Sequence, residues 1–164
     1  MRHPILHIAW LFIALFTGSS SLRAEAALGK PADNKIFAQA LVNDLAKNNP
    51  DVILIGFHTF APGAAEQSMI ACTHDLIGEK DDEGDLAVVA GQQMMLAPDL
   101  KNPDKYKVFL PLKDATGKNI GLLTLNFKHQ AGNDETHYCA RALAVRNSAA
   151  QRIPTLAALF RATP

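Results

Sequence analysis

The chain of 164 residues carries 16 Lys and Arg against 16 Asp and Glu, is 48% hydrophobic and 20% charged, and has two cysteines. That composition is globular and not disordered, and the length fits one domain. The balanced charge excludes a general electrostatic pull on nucleic acid or anionic lipid, so no nucleic-acid partner is expected.

Residues 1–26 have the order of a secretory signal. Arg2 and His3 give a basic start, 5–16 (ILHIAWLFIALF) form an apolar core, and Ala24-Glu25-Ala26 fits a small-x-small cleavage site. The apolar core has 12 residues, against about 20 needed to span a bilayer, which argues for a cleaved signal over an anchor. Cleavage after Ala26 leaves residues 27–164 as a single domain, expected in the periplasm or secreted. In such an oxidising compartment Cys72 and Cys139 are expected to form a disulfide, worth about 4 kcal/mol in the entropic model because the loop is long. Two separate buried thiols are the alternative.

The first element is a helix over 31–48, with Ile36, Phe37, Ala40, Leu41 and Leu45 at helical spacing and Asp33 as its N-cap. Asn49-Pro50 ends it. Residues 52–60 (VILIGFHTF) read as a mostly buried strand, Ala61-Pro62-Gly63-Ala64 as a break, and 66–74 as the return strand. Residues 75–85 are acidic and lack the ligand spacing of an EF-hand, so a solvated loop is expected. A short helix over 85–95 starts at Asp85, and 98–105 is a loop with two prolines.

The stretch 107–128 (KVFLPLKDATGKNIGLLTLNFK) reads as a hairpin turned at 114–118, where Gly117 takes a positive φ at little cost. Strand alternation puts Leu123, Leu125 and Phe127 on one face and Leu122, Thr124 and Asn126 on the other. The mixed second face suits a ligand cavity, although Thr124 and Asn126 facing solvent fits ordinary alternation as well. After the break at 131–134, a helical tail runs over about 135–161, with Tyr138, Ala142, Val145 and Ala149 in one stripe and an interruption at Ile153-Pro154. The resulting fold class is α+β, with an antiparallel sheet covered by helices.

Three local phrases resemble the Cache family of PAS-like extracytoplasmic sensor domains. They are Met69-Ile70-Ala71-Cys72 followed by Leu76-Ile77-Gly78-Glu79, then Val108-Phe109-Leu110-Pro111-Leu112-Lys113-Asp114, then Gly117-Lys118-Asn119-Ile120-Gly121-Leu122-Leu123. The last two look like that family's "lPl-d--G--iG-l" hairpin. The resemblance covers roughly 31–128. It implies a PAS/Cache-like antiparallel sheet with a long N-terminal helix and a C-terminal helix, and a small metabolite bound between sheet and loops. The sequence contains no kinase, cyclase or chemoreceptor output, so the expectation is a stand-alone sensor-type module, with a membrane-bound signalling protein as a possible partner.

The candidate ligand-binding residues are polar groups inside the apolar strands: His58, His74, Tyr106, Lys107 and Asn126. Lys107 suits a ligand carboxylate, as a compact point charge. His58, His74, His129 and His137 show no H-x-x-x-H pair, so neither a metal nor another cofactor is expected. A hydrolase reading would use Cys72 as nucleophile and His74 as base, at i, i+2 on one strand face, but it lacks a third orienting group. No phosphate loop or G-x-S-x-G elbow is present, and the expectation is a protein that is not an enzyme. The remaining alternative is a cell-envelope interaction or structural protein acting through the stripe of its helical tail. Monomer and homodimer are both compatible with the sequence.

Overall fold

The computed structural model describes residues 34–163. The signal expected at 1–26 and the N-cap expected at Asp33 lie outside the described residues. The elements run α1 (Phe37–Asn48), β1 (Val52–Phe60), β2 (Gln67–Cys72), α2 (Glu83–Gly91), β3 (Met95–Pro98), β4 (Lys105–Lys113), β5 (Asn119–Lys128) and α3 (Glu135–Arg152), followed by a 3-10 turn at Leu156–Phe160. The fold is α+β. The five strands form one antiparallel sheet in the order β2-β1-β5-β4-β3. Among the described residues no helix is long and apolar enough to cross a membrane.

β5 is the central strand, paired with β4 on one side and β1 on the other. Its hairpin with β4 is held by Asp114, whose Oδ1 accepts from Thr116 N (2.9 Å), Thr116 Oγ1 (2.6 Å) and Lys118 N (3.1 Å). The Thr116 hydroxyl, and then the backbone donors, hold that carboxyl below its ordinary range. Gly117 takes φ 83°, where a side chain would be strained. Gly121 has a different duty. A Cβ there would sit 2.0 Å from the His58 carbonyl oxygen, so β5 and β1 approach this closely only because the side chain is missing.

Alternation along the strands sorts the side chains onto two faces. Ile55 and Phe57 of β1, Val108, Leu110 and Leu112 of β4, and Leu123, Leu125 and Phe127 of β5 join one core with α1 and α3. Leu41, Val42 and Leu45 come from α1, and Tyr138, Ala142, Val145 and Ala149 from α3. Gln39 ties α1 to the end of β2: its Nε2 donates to Cys72 O (2.7 Å) and its Oε1 accepts from Cys72 N (3.0 Å).

Several expectations are corrected. α1 starts at Phe37, not near 31, because Ile36 bridges Ala162 and Phe37 N donates to Arg161 O (2.8 Å), so the end of the chain occupies the start of the helix. α2 starts at Glu83, because Asp82 and Asp85 form a reciprocal capping box with Asp82 as N-cap. Met95–Pro98 is a strand, not helix end and loop. Gln92 closes α2 with φ 50°, and Pro98 is tolerated because β3 is an edge strand. The apolar stripe of the tail is consumed within the chain, since all four of its residues are buried against the sheet.

The expected disulfide does not form. Cys72 and Cys139 are both free. Cys72 ends β2, at one edge of the sheet. Cys139 lies in α3 next to Tyr138, which stacks on Tyr106 of β4 beyond β1 and β5. The sequence carries no information on that separation.

Candidate functional site

The other face of the sheet is only partly covered. α2 packs over β4 and β5, with Val88 buried beneath it and Asn119 Nδ2 donating to Val89 O (3.1 Å). The segment before α2 runs along the free edge of β2, where Met69 N donates to Glu79 O and Gly78 N to Met69 O (2.8 Å each) and Ser68 bridges Lys80. Between this roof and the sheet lies a cleft of about 690 Å³, within the ordinary size of small-molecule pockets.

The floor of the cleft comes from alternate positions of three strands: Leu54 and His58 of β1, Thr124 and Asn126 of β5, and Lys107 and Phe109 of β4. Leu76, Glu79 and Lys80, together with Asp82, Gly84 and Asp85, line the roof side, and Met69 and Met95 complete the lining. Lys107 and Asn126 are directly paired across β4 and β5, so the two residues are neighbours on the floor of the cleft.

The Lys107 ammonium lies 3.1 Å from Asp99 Oδ2, and the lysine side chain is 39% exposed. Against burial, which would raise it, the Lys101 N–H and the Lys107 charge hold the Asp99 carboxyl below its usual value. One of the three ammonium donors is thus engaged. Asn126 Oδ1 is buried and has no hydrogen-bond partner. Native structures rarely leave such an acceptor unpaired, because its desolvation is uncompensated.

At the α2 end of the cleft, His58 Nδ1 donates to Asp81 Oδ1 at 2.7 Å, and the two side chains are 5% and 1% exposed. Thr124 Oγ1 lies 3.3 Å from the other ring nitrogen, where its hydroxyl donates. The second Asp81 oxygen, Oδ2, is buried without a partner. Asp85 is close by, and burial pushes its carboxyl above the usual range. His58, Asp81 and Asp85 each offer one ligating atom within 4.8 Å of the others.

Of the five candidate residues, the structure brings His58, Lys107 and Asn126 to the cleft. Tyr106 points the other way. It is buried in the core and stacked on Tyr138, with centroids 4.1 Å apart and planes at 9°. Adjacent strand residues must face opposite sides, so Tyr106 and Lys107 cannot share a pocket. His74 lies beyond the end of β2 and does not line the cleft; its ring meets Thr73 Oγ1 at 3.0 Å, and burial, then the Lys105 charge, lower its pKa. The Cys72 thiol is raised by burial, against the His74 backbone N–H at 3.4 Å and the Thr73 backbone and side chain, which lower it. The nucleophile–base pair of the hydrolase reading is therefore not assembled.

The acidic run 75–85 is largely the solvated segment expected of it, with Asp75, Ile77, Gly78, Glu79, Lys80, Asp82 and Glu83 exposed, and Asp81 is the exception. Asp81 is buried against His58, and its neighbours form the roof. The pattern Asp82-x-x-Asp85 is a readable capping signal. The pairing of Asp81 with a histidine 23 residues earlier leaves no local trace.

Neither a protein-family model nor a curated protein sequence matches this chain. Solved structures do resemble it. A protein described as a GAF sensor from Burkholderia vietnamiensis is 15% identical, with a TM-score of 0.50 over 71% of this chain and 74% of that one. The inducer-binding domain of the PobR transcription factor from Acinetobacter, in complex with 3-hydroxybenzoic acid, is 10% identical, with a TM-score of 0.48 over 76% of this chain and 99% of that one. Free methionine-R-sulfoxide reductase from Neisseria meningitidis is 19% identical, with a TM-score of 0.43 over 73% and 83%. At such identities the likeness is one of fold.

Proposed function

We propose that this chain is a small-molecule-binding module that seats a hydroxy- or amino-carboxylate in the cleft between the sheet and α2. The observation that carries the reading is the buried, partnerless Asn126 Oδ1, on a residue paired across the strands with Lys107. The ammonium recognises a carboxylate. The orphaned amide oxygen needs a donor, which a hydroxyl or amino group on the same ligand supplies. The apolar part of the lining, Leu54, Phe109 and Met69, would pack against the carbon skeleton. The fold, shared with a protein described as a GAF sensor, supports the same class of function.

The module is read as binding its ligand without converting it. The buried Cys72 thiol and the His74 ring bonded to Thr73 support this, since neither is placed to activate a nucleophile. The signal-like order of residues 1–26 supports work outside the cytoplasm, and the hairpin phrases support a Cache-type sensor acting with a separate membrane protein.

The test is thermal melting of residues 27–164 against a panel of small carboxylates, hydroxy acids and amino acids. A ligand that binds only the folded state raises the melting temperature, by about 2.7 kcal/mol at a hundredfold excess over Kd. At least one hydroxy- or amino-carboxylate is expected to shift the transition by several degrees, and Lys107→Met and Asn126→Leu are each expected to abolish the shift. A panel without any shift, or a shift that survives both substitutions, removes the proposal.

A further inference from the structure

Beyond the ligand reading, we propose that His58, Asp81 and Asp85 form a site for a divalent transition-metal ion of the Zn²⁺ class at the α2 end of the cleft. Each residue offers one ligating atom, and the three atoms lie within 4.8 Å of one another. Both His58 ring nitrogens are engaged in the ion-free chain, so binding replaces the Nδ1 proton shared with Asp81 by the ion and releases that proton to solvent. An imidazole nitrogen with two carboxylate oxygens is a donor set that such ions accept.

Two simpler accounts of these residues are incomplete. The first is helix capping, since acidic side chains gather at helix N-termini to meet free N–H groups. It explains Asp82, whose Oδ1 accepts from Asp85 N (3.0 Å), and one oxygen of Asp85, whose Oδ2 accepts from Asp82 N (3.2 Å). It leaves Asp85 Oδ1 and the whole of Asp81 unaccounted for. The second is a structural tie between the sheet and the segment before α2. That explains Asp81 Oδ1, 2.7 Å from His58 Nδ1. It does not explain Asp81 Oδ2, which is buried on a side chain 1% exposed and accepts from nothing. A buried carboxylate oxygen without a donor loses its hydration and gains nothing, and a cation supplies the missing partner.

The position suits function as well as charge. Both His58 and Asp85 line the cleft, so coordination positions not taken by the protein open onto it. Three protein ligands with an open fourth position is the arrangement of exchangeable zinc sites.

The test uses residues 27–164 after dialysis against a chelator, with no carboxylate present, so its outcome is independent of the ligand proposal. Calorimetric titration with ZnCl₂ is expected to show one ion per chain, and Co²⁺ is expected to give the visible absorption of a low-symmetry site. Asp85→Asn leaves the His58–Asp81 tie intact and should fold; it is expected to weaken Zn²⁺ binding at least about tenfold, the loss that even outer-shell changes cause. Asp81→Asn should do the same, with circular dichroism reporting whether it folds. Lys107→Met should bind Zn²⁺ as the parent does. Absence of saturable Zn²⁺ binding in the parent overturns the site, and so does binding that both Asp→Asn variants retain, which would mark an adventitious ion only.

Discussion

The two faces of this sheet are built from the same strands and do opposite things. The face under α1 and α3 is dry: Tyr138, Phe57, Phe127, Leu110, Leu112, Leu123 and Leu125 are almost wholly buried and belong to one core. The face under α2 is part floor and part opening. Two of the three buried side-chain acceptors without partners among the described residues, Asn126 Oδ1 and Asp81 Oδ2, stand here, the first paired across the strands with Lys107 and the second on the side chain bonded to His58; the third is Gln67 Oε1 of β2. Stability resides on the first face, and uncompensated polarity, the usual mark of a binding site, is concentrated on the second. The most direct way to break the comparison is a large truncation on the dry face. Tyr138→Ala removes a ring that stacks on Tyr106 and packs against Phe127, and its hydroxyl accepts from Gln130 N at 3.0 Å. Chemical denaturation should show a loss of about 3–5 kcal/mol, as for other buried aromatic truncations.

Gly121 joins the two faces. Its missing side chain lets β5 approach the His58 carbonyl, and a Cβ would lie 2.0 Å from that oxygen, a clash of backbone with backbone that no rotamer relieves. Gly121→Ala should cost about 2–3 kcal/mol by overpacking. Because the displaced carbonyl belongs to His58, nitrogen NMR of that ring should change in the same variant. An unchanged denaturation midpoint would show that the strands part more easily than their register implies.

Periodicity made the dry face legible. The helical spacing in α1 and α3 and the period of two in β4 and β5 name most of the core, because burial on one side is what those patterns record. The cleft was legible only in its floor, through Asn126 and Thr124 standing among apolar neighbours. Its roof was hidden for a physical reason: a run of acidic residues reads as solvated until a distant partner is known, and the partner of Asp81 is His58. β3 escaped because four residues ending in proline give no alternation to count. Tyr106 is excluded from the cleft by parity alone, since its neighbour Lys107 faces it.

A smaller effect is expected at the rim of the dry face. Arg141 of α3 binds Asp51 in a two-pronged pair, Nε to Oδ2 at 2.9 Å and a terminal nitrogen to Oδ1 at 2.7 Å. The Arg141 guanidinium holds the Asp51 carboxyl below its usual value. A carboxyl whose pKa is lower folded than unfolded stabilises the fold above the unfolded value, near 3.9, and loses that contribution as pH falls through the folded one. Both side chains are about one-third exposed (33% and 35%), so solvent screens the pair and Arg141→Met should cost no more than about 1 kcal/mol at pH 7. The gap between parent and variant should close as the pH is lowered below about 4. A gap that is constant from pH 7 to pH 3 would assign the loss to packing by the arginine stem instead.

The smallest effect on stability should come from the most conspicuous polar residue of the cleft. Asn126 is flanked by Leu54 on β1 and Lys107 on β4, and its Oδ1 is buried with no partner. Asn126→Leu removes a desolvated acceptor and adds no charge, an exchange that is nearly neutral or slightly stabilising, within about 1 kcal/mol either way. If Asn126 served the fold, as Leu125 beside it does, the same exchange would lower the denaturation midpoint clearly. Denaturation of Asn126→Leu beside Leu125→Ala, for which about 2–5 kcal/mol is expected, sets the two faces against each other at adjacent positions of one strand.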